Sequence, residues 1–122
     1  GKILHNNEFD FSKIRRSYII ENVDVDYCRG WKGHAIEKRW FLCTKGSIKL
    51  YVNTISNLND QIAQYDYFDL HENCMDIVYV PPGNATLIKQ IARNSKLMVF
   101  SDWLISTSND ENLRWPNDII EL

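Results

Sequence analysis

The chain has 122 residues, enough for one domain (1–122) around one substantial core. It is 44% apolar and 25% charged, which sets it among globular proteins rather than disordered or fibrous chains. A net charge of −2 gives no long-range pull on DNA, RNA or an anionic membrane, and no apolar run approaches the about 20 residues of a spanning helix. Neither nucleic acid nor membrane is therefore expected as a partner, and a cytoplasmic location is.

In chain order, "FDFSKIRR" (Phe9–Arg16) has room for one helical turn. "RSYIIEN" (Arg16–Asn22) is rich in β-branched and aromatic residues and predicts a strand. "VDYCRGW" (Val25–Trp31) predicts the next. "RWFLC" and "SIKLYVN" flank "TKG" (Thr44–Gly46), a spacing that predicts a hairpin with Gly46 at positive φ. "QIAQYDYFDL" (Gln61–Leu70) predicts a strand, with a short helix as the alternative. "DIVYV" must end at "PPG" (Pro81–Gly83), since proline withholds a ladder donor. "ATLIKQIA" and "KLMVFSDWLI" follow, separated by "RNS", and the tail "SNDENLRWPNDIIEL" closes on an apolar anchor. About eight short strands and no long helical period predict an antiparallel sandwich or barrel.

Strand parity sorts the side chains. A regular strand puts Cys28, Gly30, Lys32 and His34 on one face and Arg29, Trp31 and Gly33 on the other; the next strand opposes Arg39, Phe41 and Cys43 to Trp40 and Leu42. Two tryptophans on an outer face are costly in water, so a homodimer interface is expected to cover them. Cys28, Cys43 and Cys74 are odd in number and widely spaced, and read as reduced core thiols; no CxxC or CxH spacing points to zinc. His5 and His71 lie in polar stretches and read as surface residues. "SNDEN" (Ser108–Asn112) collects acids without the spacing of a calcium loop.

The run "RGWKGHAIEKRWFLCTKG" (Arg29–Gly46), with "PPGNATLIKQ" (Pro81–Gln90), resembles the cupin superfamily of antiparallel, all-β jelly-roll barrels built as a double-stranded β-helix. The first cupin motif places two histidines two positions apart, a glutamate five further on and a glycine seven beyond that; here stand Lys32, His34, Arg39 and Gly46. The second places Pro-x-Gly, a histidine and an asparagine; here stand Pro81, Gly83, Thr86 and Gln90. Of four usual metal ligands only His34 is present. Lys32 and Arg39 repel a divalent ion, so no metal or other cofactor is expected.

A narrower resemblance is to the metal-free sugar-nucleotide branch of the cupins, the dTDP-4-dehydrorhamnose 3,5-epimerases and dTDP-4-keto-6-deoxyglucose 3,4-ketoisomerases. It extends over roughly Ser17–Leu122. "RGWKGH" is similar to the ketoisomerase Arg-Gly-x-His-Ala-His, with the second histidine kept as His34, and "KLMVFSDWL…LRWPND" is similar to the branch's "SDYY…IRWND" ending. The run is also similar to the "RAWHGHK…KWFYVVKGS" of short epimerase-like proteins encoded with bacterial surface-polysaccharide genes. The branch's first histidine is Lys32 here. Its proton-donating tyrosine has no match on Lys96–Leu104, where Met98, Trp103 and Leu104 fall near the tyrosine positions.

The resemblance implies a nucleotide-linked 4-keto-6-deoxy sugar as ligand and metal-free epimerisation or ketoisomerisation as activity, in surface-polysaccharide biosynthesis. Such chemistry needs a base for the hydrogen beside the ketone and a donor or cation at its oxygen. His34 is the candidate base, because an imidazole takes up and releases protons near neutral pH. Lys32 and Arg39 are the other catalytic candidates, Arg39 as enolate stabiliser or phosphate binder and Lys32 as a neutralising charge or an amine base. Arg29, Thr86 and Gln90 are assigned to substrate binding. Tyr27, Tyr51, Tyr65, Tyr67 and Tyr79 are donors in reserve, with packing the better reading for each. Two alternatives stand beside this: an inactive cupin that binds a sugar nucleotide or supports a partner enzyme, and a structural or regulatory cupin with another ligand.

Overall fold

A computed structural model describes residues 1–104 and 112–122. Among the described residues, nine strands form two antiparallel sheets. The strands are β1 (Arg16–Asn22), β2 (Cys28–His34), β3 (Arg39–Lys45), β4 (Ser47–Thr54), β5 (Asp66–His71), β6 (Val78–Val80), β7 (Asn84–Gln90), β8 (Ser95–Ser101) and β9 (Asn112–Arg114). The first sheet runs β1-β8-β3-β6 and the second β5-β4-β7-β2-β9. Consecutive strands thus repeatedly cross from one sheet to the other, as expected of a jelly roll. The acidic stretch Ser108–Asn112 lies largely outside the described residues.

The core between the sheets comes from strict alternation. Phe41, Cys43, Leu97 and Val99 of the first sheet meet Ile48, Leu50, Leu70 and Ile88 of the second. Arg39, Phe41 and Cys43 do share the inner face of β3. The thiols divide: Cys43 is in this core, Cys28 is half-buried and Cys74 is exposed beside Asp76, so the expectation of three core thiols holds only for Cys43.

The "TKG" segment is not a hairpin. β3 and β4 belong to different sheets, and Gly46 makes the corner between them at φ +78°. Its backbone packs on Ser95, whose hydroxyl accepts from Ser47 N at 3.0 Å and donates to Ala92 O at 2.7 Å. A Cβ on Gly46 would lie 2.1 Å from that hydroxyl oxygen. Local spacing cannot separate a hairpin from a corner, because both ask the glycine for positive φ.

Two further expectations change, and one short element is new. "FDFSKIRR" forms a turn closed by Ile14 N on Phe11 O (3.0 Å), not a helix. The strand expected over Gln61–Leu70 occupies only its second half, as β5. A five-residue helix α1 (Ile55–Asn59), capped by Thr54 Oγ1 accepting from Asn57 N, precedes it and is too short to leave a periodic signal.

That helix covers the outer face of the second sheet. Trp31 is 1% exposed there, packed with Tyr51, Ala85, Leu87, Leu58 of α1 and Ile120 of the C-terminal tail. The tail is held by Trp115 N donating to Trp31 O (3.1 Å) and Trp115 Nε1 to Asn59 Oδ1 (3.0 Å). Trp40, on the outer face of the first sheet, stacks on Tyr79 at 5.2 Å and meets Phe9 edge-on. The chain therefore covers Trp31 with its own helix and tail, and this tryptophan gives no reason for a dimer. Trp31→Ala is expected to lower stability by about 3–5 kcal/mol through the cavity it leaves, read as a fall in the urea midpoint.

Candidate functional site

The strand β2 does not keep regular parity. Its pairing with β7 slips between Gly30 and Lys32: Gly30 faces Leu87 and Lys32 already faces Thr86, leaving Trp31 as the extra residue. A bulge of this kind re-aims the side chains on either side of it. Arg29, opposite Ile88, and Lys32, opposite Thr86, consequently both point between the sheets, while Cys28 and Trp31 pack outside. Strict alternation had set Arg29 apart from Lys32 and joined Cys28 to it; the bulge reverses both assignments. Gly30 sits where a Cβ would come within 2.5 Å of Thr86 O, so this close approach needs glycine.

Between β1 of the first sheet and β2, β7 and β9 of the second opens a cleft of about 530 Å³. Five cations line it: Arg16, Arg29, Lys32, Arg39 and Arg114. Among the described residues Glu21 is the one acid on its wall. A chain of net charge −2 thus gathers positive charge in one concave site, which favours an anionic ligand. Tyr18, Thr86 and Ile88 complete the inner wall.

The cations are held in place. Arg16 donates from Nε to Trp103 O (2.9 Å) and from Nη2 to Glu37 Oε1 (3.1 Å). Its guanidinium lies 4.8 Å from the centre of the Tyr18 ring. Arg29 Nη2 donates to Asn22 Oδ1 (3.2 Å), and Asn22 O in turn accepts from buried Gln90 Nε2. Arg39 is 3% exposed, reaches Lys32 O at 3.4 Å and lies over the Phe41 ring. Lys32 is held below the usual ammonium range, first by partial burial and then by Arg114 and Arg39. Tyr18 is pushed up by burial, against the pull of Arg39 and Arg16, so its phenol stays protonated.

Behind the cleft lies a buried acid–imidazole pair. His34 Nδ1 is 2.9 Å from Glu37 Oε2, and Ser101 Oγ donates to Glu37 Oε1. His34 shares the inner face of β2 with Lys32, but its side chain is only 4% exposed and is not among those lining the cleft. Burial alone would raise the Glu37 carboxyl; hydrogen bonds from His34 and Ser101, with the charges of His34 and Arg39, outweigh it and hold it at about 2.

Of the six residues singled out in sequence, the cleft brings together Lys32, Arg39, Arg29 and Thr86. His34 stands behind them, and Gln90 is fully buried beneath, supporting the backbone that positions Arg29. Arg16, Arg114, Tyr18, Ser101 and Glu37 are additional. Glu37 had one legible sign, its place three residues after His34; the others come from strands far apart in sequence. None of the five tyrosines held in reserve lines the cleft. Tyr51 packs with Tyr65 at 5.4 Å on the outer face, and Tyr79 stacks on Trp40.

A divalent metal does not fit this donor set. The cleft offers ammonium and guanidinium groups where ligands would stand, and Glu37 is already engaged by Arg16, His34 and Ser101. Among the described residues no group of three or more His, Cys, Asp or Glu side chains is placed to hold an ion. Among them, too, no helix is long and apolar enough to cross a membrane.

The two facing antiparallel sheets, with a cleft opening between them, have the cupin-type fold. The model of the WxcM-like, C-terminal family (FdtA) matches residues 2–112, and the chain belongs to that family. No curated protein matches the sequence. Among solved structures, the fold is similar to QdtA, a sugar 3,4-ketoisomerase from Thermoanaerobacterium thermosaccharolyticum solved in complex with TDP. That match has TM-score 0.67 and 19% identity, over 87% of this chain and 70% of that one. A 3,4-ketoisomerase from Helicobacter canadensis aligns with TM-score 0.68 and 17% identity over 87% and 72% of the two chains. The dTDP-4-dehydrorhamnose 3,5-epimerase of Bacillus anthracis, with TDP and PPi bound, aligns with TM-score 0.70 and 13% identity over 83% and 58%.

The Glu37 carboxyl holds its proton more weakly in the folded chain than its ordinary 4.5. The stability it contributes is therefore fully present above pH 4.5 and is lost as the pH falls towards 2. Urea midpoints measured across that window should show a loss of up to about 3 kcal/mol in the native chain, and a flatter profile in Glu37→Gln.

Proposed function

We propose that this protein is a sugar-nucleotide epimerase or ketoisomerase that acts on a dTDP-4-keto-6-deoxyhexose-type substrate by metal-free proton transfer, in the cytoplasm, in surface-polysaccharide biosynthesis. The observation that carries the reading is the cleft of five cations backed by the His34–Glu37 pair. A nucleoside diphosphate brings negative charge that such a cleft neutralises, and Arg29 can meet a phosphate through its planar fork. The ligands bound by QdtA and by the Bacillus anthracis epimerase support the same class.

In this reading the sugar ketone sits against Lys32 and Arg39. Arg39 stabilises the oxygen as negative charge develops on it during loss of the neighbouring proton. His34 is the base. With Nδ1 2.9 Å from Glu37 Oε2, a ring that holds its proton on that nitrogen has its lone pair on Nε2, and the carboxylate stabilises the imidazolium that forms. Tyr18, kept protonated and lining the cleft, is the proton donor. Return of the proton to the opposite face gives epimerisation. Proton exchange between neighbouring oxygens gives ketoisomerisation. Thr86 binds the sugar beside Lys32, and Gln90 acts through Asn22 on Arg29.

A second reading, a sugar-nucleotide binder without catalysis that supports a partner enzyme, is favoured by the enclosure of His34 away from the cleft wall. Solvent deuterium incorporation separates the two. Incubation of dTDP-4-keto-6-deoxyglucose in D2O should label the carbon beside the ketone with the native chain and not with His34→Ala. Binding without exchange gives the second reading, and no binding of dTDP or the sugar nucleotide at millimolar concentration removes both. In calorimetric titration with dTDP, Arg29→Gln should weaken binding about tenfold or more, the scale of one charge-assisted hydrogen bond.

A further inference from the structure

The group that the proposed mechanism uses least is also the most reactive by its surroundings: the Lys32 amine. It projects from the bulge in β2 onto the inner wall, half-buried. In a cleft that Arg29 and Glu21 also line, four charged groups act on it: Arg114 on β9, paired directly opposite it, Arg39 on β3, Arg16 on β1, and Glu37 in the β2–β3 connection. Three of these four are cations, and the one acid is already engaged by Arg16, His34 and Ser101. Among the described residues Lys32 forms no ion pair. Like charges and partial burial both favour the neutral amine, the form whose lone pair is free to attack carbon.

We propose that Lys32 is a nucleophile that forms an imine with the carbonyl group of an anionic ligand held by the surrounding arginines. The inference rests on the carbonyl-bearing ligand of the proposed function and adds a covalent step to it. The Nζ lone pair adds to the carbonyl carbon while the C=O π pair moves to oxygen. A proton passes from nitrogen to that oxygen, giving the carbinolamine. The nitrogen lone pair then expels the hydroxyl, which takes one proton from solvent and leaves as water. The product is a protonated imine, and addition of water reverses every step. Its positive nitrogen withdraws electrons from the neighbouring C–H bond. A weak base can then take that hydrogen, which a ketone alone surrenders less readily.

Reductive trapping tests this. The full chain is treated with pyridoxal 5′-phosphate, an anionic aldehyde, reduced with borohydride and mapped by peptide mass. One adduct per chain is expected at Lys32, ahead of the other seven lysines, and lost in Lys32→Arg and Lys32→Met variants that keep the native far-ultraviolet circular dichroism. Labelling of other lysines in preference to Lys32, or an undiminished adduct in folded Lys32→Arg, overturns the inference. With dTDP-4-keto-6-deoxyglucose and cyanoborohydride the sugar is expected to become linked to Lys32. If solvent deuterium instead enters that sugar equally fast with native chain and Lys32→Arg, the imine is wrong and the proposed function stands. If pyridoxal phosphate marks Lys32 but no sugar nucleotide binds, the proposed function fails and Lys32 is a nucleophile for another anionic carbonyl compound.

Discussion

The buried carboxylate of Glu37 holds the two sheets in register around the site. It receives Arg16 from β1, Ser101 from β8 and His34 from β2, so one side chain joins both sheets at the end where the cleft opens. An isolated carboxylate in this position would cost several kcal/mol. Three donors remove that cost only if all three strands are in place. The same contacts fix the Arg16 head on the cleft wall and the orientation of the His34 ring. Structure and chemistry therefore share one constraint, and a change at Glu37 reaches the fold and the site together.

The second constraint is the bulge at Trp31. A regular β2 would send Arg29 outward and leave Lys32 as the lone cation of the strand on the inner face. One extra residue puts both inside and turns Trp31 against α1 and the C-terminal tail. The concentration of positive charge follows from this slip and from the convergence of β1, β3 and β9, each of which adds one arginine. Since the chain as a whole is slightly acidic, the cleft is a local field that attracts at close range. Where the cupin motifs place metal ligands, this chain presents Lys32 and Arg39, side chains that favour an anion over a cation.

Much of the strand architecture was legible because it rests on local chemistry. β1, β3, β4 and β8 begin and end within a few residues of their apolar, β-branched runs, and Pro81 stops β6 as its missing donor requires. The Gly46 corner, α1 and the cover over Trp31 were not legible as such. A corner and a hairpin make the same demand on one glycine, a five-residue helix has no period, and burial of an outer face depends on a tail over 80 residues away. In the site, Arg29, Lys32, His34 and Arg39 stood out because they lie within eleven residues of one another in a recognisable frame. Arg16 and Tyr18 had no such frame, and Ser101 and Arg114 stood in the matched ending "SDWL…LRWPND" with no role to mark them.

The sequence by itself determined an all-β chain, and its resemblance to the cupin motifs singled out Lys32, His34 and Arg39 as neighbours in one frame. These follow from residue identity and from intervals of a few positions. Only the tertiary structure decided which side of β2 carries Arg29, that Glu37 rather than a distant acid holds His34, and that five cations share one cleft with Tyr18. The physical reason is that parity in a strand is a local rule which one bulged residue reverses. The partners of a buried charge, by contrast, are chosen by strand pairing across sheets, where separation in sequence sets no limit on distance in space.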